Sequence, residues 1–215
     1  FFLFVFIINL IFTIFENQFR KMKSAYLLFF FISLSGFGQS DFEVGVNYYN
    51  SGQYELAKVI FEKRVQQNPS DLKSVEYLGD IQSQNKNWDK AISYYGKLIK
   101  SNSIQANYFY KYGGALGMKA KESNKFKALM MVDEVKSSFE KAIKLNPKHI
   151  EARWALIEVY IQLPFIVGGS QEKALQYSNE LLKISPVDGY LSKGHIYEYY
   201  KKYTLAESQY QKAIM

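Results

Sequence analysis

Residues 139–160 hold two amphipathic segments on either side of one proline, and that arrangement restricts what the chain can become. Phe139, Ala142, Ile143 and Leu145 recur at helical spacing and stop at Asn146-Pro147; Trp154, Leu156, Ile157 and Tyr160 then start a second run. Proline has no backbone donor and pushes the residue before it out of the α region, so one helix cannot run through into the next. The stretch therefore predicts a helix, a tight turn and a helix. Pro69 and Pro186 punctuate the chain in the same way. With 215 residues, such units can make one domain or a short solenoid.

Gly45, Gly79 and Gly113 then fall at steps of 34 residues, with Ala57/Phe61 and Ala91/Tyr95 at matching distances behind the first two. This pattern resembles the tetratricopeptide-repeat family, whose period is 34 residues, with a small residue in the first helix and an alanine and an aromatic in the second. The resemblance implies an all-α fold, a right-handed α-solenoid of about five helix-turn-helix units at about 38–71, 72–105, 106–149, 150–186 and 187–215. Arg64 and Gln82 stand where the family has a small residue and a tyrosine, and Asn102-Ser103 replaces a closing proline. The third unit carries ten extra residues around 119–127, made basic by Lys119, Lys121, Lys125 and Lys127. They are expected to lengthen its second helix after a polar turn at 122–124. The fourth carries five extra residues in its turn, where Pro164, Gly168, Gly169 and Ser170 give a helix stop, a reversal and an N-cap. Gly194, Ala206 and Tyr210 fit a fifth unit, and Trp88 is expected to pack at the start of a second helix.

The net charge of +7 is interleaved with acids along the helices, which describes a solvated face rather than a stripe for nucleic acid. The absence of cysteine excludes disulfides, thiolate metal sites and a cysteine nucleophile. His149 and His195 are far apart in sequence, with His149 expected as a solvated turn residue, and no metal-binding motif is present. The glycines at 113–117 lack the spacing and preceding strand of a phosphate loop. No catalytic constellation is legible, so the expectation is a non-enzyme without cofactor or metal.

The N-terminal segment reads separately. Met22-Lys23-Ser24, the apolar run 25–34 and Gly36-Phe37-Gly38 resemble a bacterial secretory signal peptide at 22–38, and residues 1–21 read as an upstream apolar leader. Export to the periplasm or envelope is the expectation, with a retained membrane anchor as the alternative. The apolar stretch at 1–15 is shorter than the ~20 residues that span a bilayer.

Carried over position by position, the resemblance places a protein-binding groove on the concave, first-helix face at Phe42, Tyr49, Glu76, Asp80, Tyr110, Trp154, Glu158, His195 and Tyr199. Aromatics and carboxylates on such a face suit a protein or peptide segment with apolar anchors and some positive charge. The implied function is an exported scaffold or adaptor that holds a segment of another envelope protein. The alternative is a structural assembly subunit docking through its C-terminal edge or the basic insertion. Nucleic acid is not an expected partner, a membrane is one only if the N-terminal segment is retained, and the oligomeric state is left open.

Overall fold

The computed structural model describes residues 40–214, which fall in two compact units, one ending at Val44 and one running from Gly45. The segments expected as a leader, 1–21, and a signal peptide, 22–38, lie outside the described residues. Among the described residues there are ten α-helices and no strand. They run in pairs: α1 (Asp41–Asn50) and α2 (Tyr54–Gln67), α3 (Leu72–Gln84) and α4 (Trp88–Ser101), α5 (Ala106–Glu122) and α6 (Lys125–Leu145). After these come α7 (Ile150–Gln162) and α8 (Gln171–Ile184), then α9 (Pro186–Tyr199) and α10 (Tyr203–Ala213).

Local chemistry sets the boundaries. Asp71, Asn124, Ser170 and Ser185 sit at N-caps and accept from the backbone N–H groups of Ser74, Lys127, Lys173 and Asp188. Each such cap is worth about 1 kcal/mol because it satisfies a donor the helix cannot. Asp71 does more. Its carboxylate also takes a hydrogen bond from Ser74 Oγ at 2.8 Å and pairs with Arg64 Nη2 at 2.8 Å, so Arg64 ties α2 to the start of α3. Burial works against the Asp71 charge, but Ser74 and then Arg64 outweigh it and hold its pKa below the ordinary 3.8. This stability is present above that value and is lost as pH falls through the lowered one.

The junction inside a pair is built from an absence on one helix and a ring on the other. A Cβ added at Gly79 would lie 2.5 Å from Cε1 of Tyr95, so the ring occupies the space a side chain would need. Phe61, Phe139 and Tyr210 fill the equivalent space against Gly45, Gly113 and Gly194. The Tyr95 ring is also held at its far end, where Oη donates to Asp80 Oδ1 at 2.7 Å and lies 3.1 Å from Ser83 Oγ. In the fourth pair the sizes are exchanged. Counted from the helix starts, Ile157 on α7 takes the glycine position and Ser178 on α8 takes the ring position, both fully buried. Ser178 Oγ then serves the next junction, bonding Ser192 Oγ at 2.7 Å and the Gly189 carbonyl at 3.0 Å.

Each helix from α2 onward packs on its neighbours in the chain, and α5 also touches α7 as α7 touches α9. Two core clusters result, one spanning α3–α5 and one α5–α9, with Ile92 and Tyr112 packed against both. Trp88 packs against the first at the head of α4, half-buried.

Two expectations need correction. The extra residues of the third pair lengthen both helices, not only the second: α5 has 17 residues and α6 has 21, against 13 and 14 for α3 and α4. Ser123 ends α5 and Asn124 caps α6, so the polar turn is two residues long and the rest continues as helix on either side. His149 is buried rather than solvated. It caps α7 through Nδ1, which accepts from Ala152 N–H at 3.3 Å, under the Tyr110 ring at a centroid distance of 5.1 Å.

The fourth pair turns through a short 3₁₀ segment, Phe165–Val167, after Pro164. Gly168 follows at φ +93°, and a Cβ at Gly169 would lie 1.8 Å from the Leu163 carbonyl oxygen, so the reversal needs both glycines.

Gly79→Ala tests the junction. The mutation gains about 1 kcal/mol of helix propensity, but overpacking a ring that cannot move away costs about 1–3 kcal/mol. The expected net result is a lower thermal midpoint by circular dichroism; a midpoint at or above that of the wild type would contradict the junction.

Candidate functional site

The nine positions expected to line the groove divide by environment. Phe42 lies on α1 in the unit that ends at Val44, half-buried. The others lie in the larger unit, on first helices from the end of α1 through α3, α5, α7 and α9. Tyr49 packs edge-on to Tyr77 at 5.1 Å and tilted against Tyr54 at 5.4 Å, while Tyr77 stacks on Phe61 at 4.8 Å. Burial, then the charge of Asp80, pushes the Tyr49 hydroxyl above its ordinary value, so it stays a neutral hydrogen-bonding group near neutral pH.

Glu76 and Asp80, one turn apart on α3, are bridged by Lys111 of α5. Its Nζ donates to Glu76 Oε1 at 2.6 Å and Asp80 Oδ2 at 2.7 Å, and Asn107 Nδ2 adds a bond to Glu76 at 3.2 Å. Burial works against the Lys111 charge, but Asp80 and Glu76 outweigh it and raise its pKa above the ordinary 10.5.

Further along, Tyr110 leans on His149 and lies 6.0 Å from Phe139, its hydroxyl pushed up by burial and then by Glu151. Beside it opens a hollow of about 600 Å³ bordered by Asn107, Tyr110, His149 and Glu151. One turn on from Tyr110, a Cβ added at Gly114 would meet nothing among the described residues within 4 Å.

Trp154 Nε1 donates to Asp188 Oδ1 at 2.9 Å, and its ring lies 6.3 Å from that of His195. Glu158 Oε1 lies 2.5 Å from His195 Nε2, out of line for a hydrogen bond, and Oε2 accepts from Gln162 Nε2 at 2.7 Å. Tyr199 is 48% exposed and packs edge-on to Tyr200.

Two family models match the sequence, one for the tetratricopeptide repeat over residues 76–103 and one described as plant-specific mitochondrial import receptor subunit TOM20 over residues 90–183. No curated protein matches the sequence. Among solved structures, TTC0263, a thermophilic tetratricopeptide-repeat protein of Thermus thermophilus, superposes with a TM-score of 0.65 at 20% identity, over 82% of this chain and 89% of that one. MamA gives 0.62 at 20% identity over 80% and 92%. YrrB, described as a tetratricopeptide-repeat protein with an unusual peptide-binding site, gives 0.57 at 17% identity over 81% and 83%. The fold is that of a tetratricopeptide-repeat solenoid.

In a tetratricopeptide solenoid the first helices of successive repeats form one continuous face, and here that face is cross-linked from repeat to repeat. Trp154 on α7 reaches Asp188 in the first turn of α9, one repeat on. Lys111 reaches back to Glu76 and Asp80 across the preceding junction. Sequence reading did not single out Lys111, Asn107 or Asp188. The signal was available in the period, since residues one repeat apart on first helices are spatial neighbours. The consequence is chemical: Glu76, Asp80, Glu158 and Asp188 already face a cation or an N–H donor. Beyond these ties the face carries aromatic rings and the open position at Gly114. Among the described residues no group of three or more His, Asp or Glu is arranged to hold a metal ion.

Lys111→Met leaves two carboxylates facing each other without their cation and is expected to destabilise the protein by about 1–3 kcal/mol near neutral pH. Because the Lys111 pKa is raised by folding, its contribution to the gap is constant from neutral pH up to 10.5 and shrinks as pH rises through the folded value. Denaturant melts of both proteins across that range check the sign; a gap that widens at high pH would remove Lys111 from this role.

Proposed function

We propose that the protein is a non-catalytic scaffold that holds a segment of another protein on its first-helix face, and that it works after export in the cell envelope. The fold supports the scaffold reading, since a solenoid presents an extended face on which a segment can lie across several repeats. The observation that carries it is the open position at Gly114, flanked along the face by Tyr110, Trp154, His195 and Tyr199. Gly45, Gly79, Gly113 and Gly194 are filled by rings from the partner helix, whereas at Gly114 nothing among the described residues enters. The apolar run and small residues at 25–38 support export. The match to a model described as a mitochondrial import receptor subunit supports a narrower form of the same reading, in which the held segment belongs to a protein in transit.

Gly114→Arg is the sharpest test. It places a long side chain in the open position while removing a helix glycine, so stability is expected to hold or rise by a few tenths to about 1 kcal/mol. Affinity capture from envelope extracts, read by mass spectrometry, should return a partner with wild type that falls about tenfold or more with Gly114→Arg and with Tyr199→Ala. A partner retained equally by both variants would move the binding surface off this face.

A further inference from the structure

The turns inside each repeat lie along one edge, and both sets of added residues fall there. The N-terminal part of α6 carries two apolar stripes. Ala128, Met131, Val132 and Val135 face the core, while Phe126, Leu129 and Met130 stand at i, i+3 and i+4 on the outward side. Phe126 is 76% exposed and Met130 73%. The turn after α7 adds Phe165 at 88% and Ile166 at 89%. Between the helices that carry the two groups lies a crevice of about 210 Å³, with Ala120, Ala128 and Val132 on one side and Leu163 on the other; none of the protruding side chains lines it. The turn rests against α6, since a Cβ at Gly168 would lie 3.5 Å from Lys136 Nζ.

The charges beside these side chains run against local helix chemistry. A helix N-terminus favours acids, yet the first turn of α6 has none and carries Lys125 and Lys127. Lys121 joins them at the end of α5, and none of the three has an ion-pair partner among the described residues. Lys119 alone is engaged, by Asp89. Along the same edge Lys86 and Lys201 hold left-handed turn positions, at φ 56° and 58°, where Gly52 stands in the first repeat at 75°. A cation-rich helix start with protruding phenylalanines is unfavourable in water alone and is relieved by an anionic surface with an apolar layer behind it.

The geometry points to this edge as a docking surface for an anionic lipid bilayer, with Phe126, Met130, Phe165 and Ile166 entering the interface and Lys121, Lys125 and Lys127 meeting lipid phosphates. A peptide is the poorer occupant: these side chains project from a helix start and a turn tip and line no groove, and the nearby crevice of about 210 Å³ is too small to seat a helix. The contact is peripheral, since among the described residues no helix is long and apolar enough to cross a membrane. The inference is separate from the scaffold reading, and Gly114→Arg is expected to leave it unchanged.

The test is hydrogen exchange of the full chain, read peptide by peptide, with phosphatidylcholine vesicles with and without phosphatidylglycerol. Slowed exchange is expected at 123–131 and 163–170 with the anionic vesicles only. Lys125→Gln/Lys127→Gln relieves the helix start, so it should fold at least as well as wild type while weakening this contact about tenfold or more. Phe165→Ser/Ile166→Ser, at exposed positions, should abolish the protection at an unchanged thermal midpoint. Vesicle binding with both segments exchanging as in solution would assign the contact to the N-terminal stretch and overturn the proposal. Protection by an acidic amphipathic peptide but not by vesicles would overturn it in favour of a protein partner.

Discussion

The seat that a first-helix glycine offers to a second-helix ring sets the spacing of the two helices in a repeat, and the other contacts follow from that spacing. In a solenoid each unit touches only its neighbours, so no distant core compensates for a poor junction. The second repeat shows how far one such contact reaches. The Tyr95 ring seats on Gly79, its hydroxyl holds Asp80, Asp80 shares Lys111 with Glu76, and Lys111 ties α3 to α5. Packing inside one repeat thereby orients the charges that join it to the next and that face the proposed groove.

Electrostatics then separates two surfaces of different character. On the first-helix face, acids are matched by Lys111, Gln162 and the Trp154 indole, so what remains for recognition is shape and aromatic surface. On the turn edge, lysines stand beside exposed phenylalanines, and no acid among the described residues pairs with Lys121, Lys125 or Lys127. Matched charge disfavours steering of ionic ligands, and unmatched charge favours it. A segment can lie on the first surface while the second faces elsewhere.

Much of this was legible in the sequence because the information is local. Proline after a helical run, glycine at a fixed period and Ser170 before Lys173 each act through backbone geometry within a few residues, and the all-α solenoid follows from their repetition. What was not legible depends on a partner about one period away. His149 looks like a solvated turn residue until Tyr110, from the preceding first helix, is laid over it. Lys111 reads as a surface lysine until α3 is placed beside α5. The insertion was located by its composition, but its division between α5 and α6 was set by the two-residue turn at Ser123-Asn124, and helical periodicity alone does not fix where a long apolar pattern breaks. The candidate site was recoverable as a list of positions, but their mutual ties were not.

The fourth repeat, with Ile157 where its neighbours carry glycine and Ser178 where they carry a ring, has a history written into it. Either change alone leaves a clash or a void, so the pair had to shift together or pass through a weakened intermediate. Units two and five, both glycine-and-ring, share one joint and are in principle exchangeable by duplication or deletion of a whole period. The fourth carries a private lock, completed by the Ser178–Ser192 bond into the fifth. Gain or loss of a whole period thus disturbs the packing inside a unit least where the joint is shared, while separating the fourth from the fifth breaks a buried hydrogen bond.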